Sequence, residues 1–279
     1  MVERLIVKDR VVPSIQTEEL FDQYDFKKTV CTTAAIIDIT HKICILLETK
    51  EFVRCLLIDF SKAFDSVDHI ILINKLKSFN ISHNVIQWIV SFLMDRTEFV
   101  KMGKKWPYTR AINRSIVQGS GIGPTVFVTC IIDLKPIGST NYVTKYADDA
   151  SLLIPEKCDI DSTLEFQNML KWAINNKFTI NMARTKELVF HRPNARNYLP
   201  SVALPGIDRV ICAKPLAVWL QDDLGLKEHV NNLMLLCNQR TDYISQLKRQ
   251  GYRRNSWKMY LMQLLYRVYF MQHLRREAI

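Results

Sequence analysis

An aspartate closes one apolar run of this chain, and a pair of aspartates sits between two others. Leu56-Leu57-Ile58-Asp59 ends on a carboxylate. Tyr146-Ala147-Asp148-Asp149-Ala150 sets two adjacent carboxylates between the apolar runs 142–146 and 150–154. Carboxylates gathered from separate strands repel one another unless a cation sits among them. Two divalent ions about 3.5–4 Å apart, held in this way, clamp the attacking and leaving oxygens of an in-line displacement at phosphorus. The two motifs together therefore point to nucleotidyl transfer, with Asp59, Asp148 and Asp149 as candidate catalytic and metal-binding residues. Each motif alone has a plainer explanation. Asp59 ahead of Phe60-Ser61-Lys62-Ala63 is a good helix N-cap, and aspartate is common in hairpin turns. Only the combination of an acid at a strand end with a diacid turn favours chemistry.

A third element is Gln118-Gly119-Ser120-Gly121-Ile122-Gly123-Pro124. Glycine-rich loops alone are weak signals. Here Pro124 stands where a helix can begin, because its missing N–H is no loss there. Gln118 offers an amide, and the glycines let a sugar or base pair approach the backbone.

The elements that must position these residues read as a mixture. Apolar residues at helical spacing predict a helix over 32–48, from Ala35, Ile36, Ile39, Ile43 and Leu46. The Val, Cys, Leu, Leu and Ile content of 52–58 predicts a strand buried on both faces. Helices are expected at 69–79, 84–94, 126–134 and 159–175. Hairpins are expected at 97–102 with 109–115, and at 142–146 with 150–154 around the diacid. A strand at 186–190, a strand-rich stretch at 209–221 and helices at 226–248 and 255–274 complete the chain. Without regular βαβ alternation, this is α+β: an antiparallel sheet with helices on one face.

The 279 residues are 48% hydrophobic, ample for a core. The net charge is +10, from 38 Lys+Arg against 28 Asp+Glu. The last 40 residues hold nine basic side chains (Arg240, Lys248, Arg249, Arg253, Arg254, Lys258, Arg267, Arg275, Arg276) against Asp242 and Glu277. That surplus of seven fits a phosphate backbone, or a plain solvated helix face. Seven cysteines occur with no CxxC pair and no His cluster at zinc spacing, as for buried free thiols in a reducing compartment. The first ten residues carry too many charges for a signal peptide. No charge-free apolar run reaches the ~18 residues of a membrane span. The expectation is a soluble, intracellular protein with no membrane partner.

The motifs resemble a family. LLIDFSKAFDSVDH within 53–69 looks like the first catalytic motif of reverse transcriptases from non-LTR (LINE-type, jockey-like) retrotransposons. SIVQGSGIGPTVFVTCIIDL at 115–134 looks like their second motif, and YADD at 146–149 like their catalytic box. Stretches 175–190 and 216–230 are similar to two later palm motifs, and Phe26-Lys27-Lys28 with Thr32-Thr33-Ala34 to a fingers segment. The resemblance implies a polymerase palm over 51–224, with a fingers-like insert near 97–115. It also implies partial fingers over 1–50 and a partial, basic, helical thumb over 225–279. It implies an RNA-directed DNA polymerase using two Mg²⁺ (or Mn²⁺) ions, an RNA template, a DNA primer and deoxynucleoside triphosphates. Asp59 and Asp148 would be the main metal ligands, with Asp149 a third acid. Phe64 would be a steric gate against a ribose 2′-OH, which disfavours an RNA-directed RNA polymerase; without the family, a core phenylalanine is the simpler reading. Gln118, Gly119 and Lys27 would meet the nucleotide. The basic residues Arg240, Lys248, Arg249, Arg253, Arg254 and Lys258 would meet nucleic acid.

The departures from the family matter equally. Lys27 stands where arginine is frequent, and Val117 where proline is usual. Arg184-Thr185-Lys186 replaces a Lys-Thr pair whose lysine would protonate pyrophosphate. Arginine is a poor proton donor, its pKa lying above ~12, so Lys186 becomes the candidate donor beside Arg184. Ala217 replaces a glycine, and alanine does not readily copy a glycine at positive φ. No upstream endonuclease fits ahead of Asp59. The expectation is a truncated or degenerate copy, and the alternative is a catalytically inactive nucleic-acid-binding remnant. The sequence sets no oligomeric state.

Overall fold

The computed structural model describes residues 2–15, 17–25, 31–99, 109–112, 114–117, 119–192 and 202–251. In chain order, α1 (Val2–Ile6) continues into a π-helical turn (Val7–Val11), and α2 (Thr32–Thr49) and β1 (Phe52–Ile58) follow. Three helices come next, α3 (Ala63–Ser66), α4 (His69–Ser78) and α5 (His83–Leu93), then the two-stranded β2 (Arg96–Phe99) and β3 (Thr109–Ile112). After α6 (Gly123–Ile131) come β4 (Tyr142–Tyr146), β5 (Asp149–Pro155), α7 (Ser162–Asn175) and β6 (Lys186–His191). The chain goes on through β7 (Asp208–Val210), β8 (Cys212–Ala213), β9 (Leu220–Gln221) and α8 (Lys227–Arg249). No helix among the described residues is long and apolar enough to cross a membrane.

One five-stranded sheet, in the order β4-β5-β1-β6-β7, organises the molecule. β1 lies at its centre, antiparallel to β5 and β6. Successive side chains along a strand face opposite sides. Leu56 and Ile58 of β1 and Ala150, Leu152 and Ile154 of β5 share a face, where they join Leu72, Leu76, Ile89, Phe127 and Met169 of the helices in one core. Each large apolar side chain buried there contributes ~1.5–3 kcal/mol. Val53 and Cys55, with Leu153, Leu188 and Phe190, point the other way and pack against Ile39, Ile43 and Leu47 of α2. β1 is therefore mostly apolar, as its sequence predicts, because both its faces are covered; its one charge, Arg54, is buried and pairs with Glu187 of β6 at 3.0 Å.

The α+β expectation of a palm-like sheet backed by helices holds. The structure adds a parallel β6–β7 pair and lays α2 over part of the second face. Helix α6 begins at Gly123, earlier than expected, with Pro124 in its first turn. Helix α7 begins at Ser162 rather than 159, because Asp161 caps it by accepting the Thr163 N–H at 3.2 Å. The expected strand residues 100–102 and the helix at 255–274 lie outside the described residues.

Two cysteines are among the covered residues. Burial pushes the thiols of Cys55 on β1 and Cys130 on α6 up to about 12. Seven cysteines are free, as the sequence suggests.

Candidate active site

Period-two alternation carries the outward face of β1 from Val53 through Cys55 and Leu57 to Asp59, one step past the last strand residue. Helix α2 covers the start of that face, and the end of it opens into a cleft of about 490 Å³. Its lining includes Asp59, Asp149, Tyr146, Arg184, Lys186 and Lys214. The strand register explains the grouping. Ile58 pairs with Ala150, so Asp59 comes opposite Asp149 on the same face. Tyr146 pairs with Asp149, and Leu57 pairs with Lys186. Lys186 Nζ is engaged by Asp208 at 2.7 Å and by the Ala183 carbonyl at 2.9 Å. Its ammonium lowers the pKa of Asp208 through that hydrogen bond.

Ala147 and Asp148 make the two-residue turn between β4 and β5. Ala147 has φ +50, the left-handed region. Asp148 is half-buried in this turn and is not part of the cleft lining, whereas Asp149 is exposed and is. Among the described residues, no three His, Cys, Asp or Glu side chains form a ready-made metal cluster. Mg²⁺ usually takes one or two carboxylates and completes its shell with water and substrate phosphate. Two carboxylates opposed on adjacent strands, with a third in the adjoining turn, match that sparse donor set.

Beyond Asp59 the chain is pinned. Ser61 N–H donates to the Thr179 carbonyl at 2.9 Å, and the Asp59 carbonyl accepts Asn181 N–H at 2.8 Å. Lys62 then turns at φ +47 into α3, which carries Phe64. Phe64 is half-buried and stacks on the buried Phe127, with ring centroids 4.2 Å apart. Its carbonyl accepts Ile116 N–H at 3.0 Å, and the Val67 carbonyl accepts Ser115 N–H at 2.9 Å. His69 Nε2 lies 2.8 Å from the Ser115 carbonyl. These bonds tie the glycine-rich loop to the segment after Asp59. In the loop, Gly119 takes φ +84, and a Cβ on Gly123 would lie 2.9 Å from Ser120 Oγ and 3.1 Å from Ile116 Cγ2. Glycine is needed at the first for conformation and at the second for room.

The cleft thus gathers Asp59, Asp149, Arg184 and Lys186, four residues singled out from the sequence, and sets Asp148, Phe64 and Gly119 on connected segments. Gln118 and Lys27 lie outside the described residues, as do Arg253, Arg254 and Lys258. On α8, Arg240 is half-buried, and Lys248 and Arg249 are exposed. Lys214 is a cleft residue that sequence reading missed. It sits in a short strand-to-turn segment with no periodicity to mark its face, and its ammonium lies 5.6 Å from the Trp219 ring centroid.

A family model described as reverse transcriptase (RNA-dependent DNA polymerase) matches residues 3–213. The RNA-directed DNA polymerase from mobile element jockey of Drosophila funebris is 26% identical over 248 residues, covering 84% of this chain and 27% of that protein. The probable RNA-directed DNA polymerase from transposon X-element of Drosophila melanogaster is 24% identical over 244 residues, covering 83% of this chain and 26% of the relative. The chain therefore spans about a quarter of the length of the curated relatives it matches. Among solved structures, telomerase from Candida tropicalis with a fragment of telomeric RNA superposes with a TM-score of 0.57 at 11% identity, over 81% of this chain and 36% of that one. The apo form of the same enzyme lacking its C-terminal domain gives 0.51 at 10% identity, over 80% and 43%. These likenesses speak for the fold. With the family match running through the sheet, the cleft and both aspartate motifs, the chain belongs to the reverse transcriptase (RNA-dependent DNA polymerase) family, on the side of jockey-like non-LTR retrotransposons.

Proposed function

We propose that this chain extends a DNA primer along an RNA template, the primer 3′-OH attacking the α-phosphate of a deoxynucleoside triphosphate. The observation that carries this reading is the opposed placement of Asp59 and Asp149 in one cleft, with Asp148 in the adjoining turn. Asp59, Asp148 and Asp149 would hold two divalent ions, Mg²⁺ or Mn²⁺. Ions bound there would lower the pKa of the attacking hydroxyl and neutralise charge on the leaving oxygens. Arg184, Lys186 and Lys214 set positive charge on the same cleft, suited to a triphosphate. Phe64, braced by Phe127, would stand as the gate against a 2′-OH. Gln118, Gly119 and Lys27 complete the proposed nucleotide contacts. Arg240, Lys248, Arg249, Arg253, Arg254 and Lys258 form the proposed nucleic-acid surface. The division into fingers over 1–50, palm over 51–224 and thumb over 225–279 is supported by the sheet lying wholly inside the middle stretch.

The test is dTTP incorporation on poly(rA)/oligo(dT) with Mg²⁺. Asp59→Asn and Asp148→Asn are each expected to fall to background with the melting temperature kept. A variant that retains the parent's rate overturns its assignment. A second reading, a nucleic-acid-binding remnant without catalysis, is favoured by one observation: Lys186, the candidate proton donor, is already committed to Asp208. It predicts salt-sensitive RNA binding and no incorporation. Mg²⁺-dependent extension by the parent chain would eliminate it.

A further inference from the structure

The strand end that leads into the diacid turn is held from outside the sheet. Gln23 forms a parallel bridge with Lys145 of β4. Lys145 N–H donates to the Asp22 carbonyl at 2.7 Å, and Tyr24 N–H donates to the Lys145 carbonyl at 2.8 Å. The Lys145 ammonium is itself buried, 3.2 Å from Asp22 Oδ1, and donates to the carbonyls of Ile131 and Leu134 at 3.1 Å. Residues 22–24 are thereby fastened to β4 by main chain and side chain alike.

Gln23, in the middle of this strap, is 2% exposed. Its Oε1 accepts the Asp25 N–H at 3.0 Å and the Ala147 N–H at 3.3 Å. A backbone N–H can only donate, so the atom facing both must be the amide oxygen. Ala147 is the first residue of the turn that carries Asp148 and Asp149, and it holds a left-handed φ that alanine disfavours. The amide Nε2 of Gln23 is buried with no hydrogen-bond partner among the described residues. A buried, unpaired amide nitrogen is unfavourable, so space-filling alone gives no reason for glutamine here. The acceptor oxygen is what this side chain supplies and an apolar one of equal size would not.

We propose that Gln23 is a positioning residue for the diacid turn: by accepting the Ala147 N–H it fixes the conformation that aims Asp148 and Asp149 relative to Asp59. The structural half of this inference is independent, and its catalytic half rests on the polymerase reading above. A reacting group displaced by about 1 Å can lose about 10²-fold in rate.

The test uses the full chain and two substitutions. Gln23→Met keeps the volume and removes the acceptor, and Gln23→Glu keeps an acceptor oxygen. Amide hydrogen exchange is read at Ala147 and, as an internal reference, at Lys145. Gln23→Met is expected to speed exchange at Ala147 by about tenfold while Lys145 holds, and Gln23→Glu to keep Ala147 protected. In dTTP incorporation, Gln23→Met is expected to lower kcat by about tenfold or more with KM little changed, and Gln23→Glu to recover part of the loss. Equal exchange at Ala147 in parent and Gln23→Met overturns the proposal, as does a loss confined to KM. Should Gln23→Met not fold, Gln23→Asn draws the oxygen back by one methylene and serves the same comparison. A parent chain that incorporates nothing overturns the polymerase reading, and exchange at Ala147 still decides whether Gln23 holds the turn.

Discussion

Ala217, on the rim of the cleft, holds φ +70, directly after Leu216 at φ +47. Left-handed backbone puts Cβ against the neighbouring carbonyl and costs an L-residue roughly 1–2 kcal/mol. The sequence suggested that alanine would not copy a glycine here. Instead the chain takes the conformation with alanine and carries the strain. Ala217→Gly is expected to stabilise the fold by up to about 1 kcal/mol, part of the relief being offset by the freer unfolded chain. An unchanged or lower urea midpoint would contradict the strain. At this scale the acids were legible because a carboxylate ending an apolar strand is conspicuous. Lys214 and Gln23 were not, because no local pattern marks them: Lys214 shares a cleft with Asp59 and Asp149, distant in sequence, and Gln23 meets Ala147 across 124 residues.

Helices α6 and α7 show what sets the elements around the site. The segment from α6 to β4 is gathered by Glu165 of α7, a fully buried carboxylate. It accepts the Ile137 N–H at 2.8 Å, the Gly138 N–H at 2.9 Å and Asn141 Nδ2 at 2.7 Å. This clamp fixes where β4 begins, and β4 ends at the diacid turn. Glu165→Ala leaves two buried donors, Gly138 N–H and Asn141 Nδ2, and the part-buried Ile137 N–H without an acceptor, each buried unsatisfied group costing about 1–3 kcal/mol. A loss of about 3 kcal/mol or more in urea unfolding is expected, and Glu165→Gln is expected to lose less because one acceptor oxygen stays. A loss below about 1 kcal/mol would show that water replaces the carboxylate. Helical and strand periodicity made most elements readable, β1 to the residue. The caps were harder: Asp161 ends the loop before α7 by a side-chain bond that no hydrophobic pattern reveals. Glu165 shares the buried face of α7 with Phe166 and Met169, and the loop folded over it supplies the donors that make it an interior acid.

Across the whole molecule, the net +10 charge sits around a core that also contains an ammonium. Burial lowers the pKa of Lys145 from 10.5 to about 8, outweighing the attraction of Asp22, while Lys135 adds like charge and Asp133 offsets part of it. Between those values the unfolded chain still binds a proton that the folded chain has released. Unfolding then takes up a proton, so raising the pH favours the folded state from this residue. The parent is expected to gain stability relative to Lys145→Met from pH 8 to pH 10, as measured by urea midpoints. A flat difference would place the titration elsewhere.

The covered thiols add a different kind of consequence. Cys44 is exposed, whereas Cys55 and Cys130 are shut inside strand and helix on opposite faces of the sheet. A thiol-reactive dye offered to the native protein should mark Cys44 at once and reach the other two only when the molecule opens. The chain thus has two internal stopwatches for its own unfolding. Any template or nucleotide that binds only the folded form will slow both by the factor 1 + [L]/Kd when opening is at equilibrium, turning affinity into a labelling time.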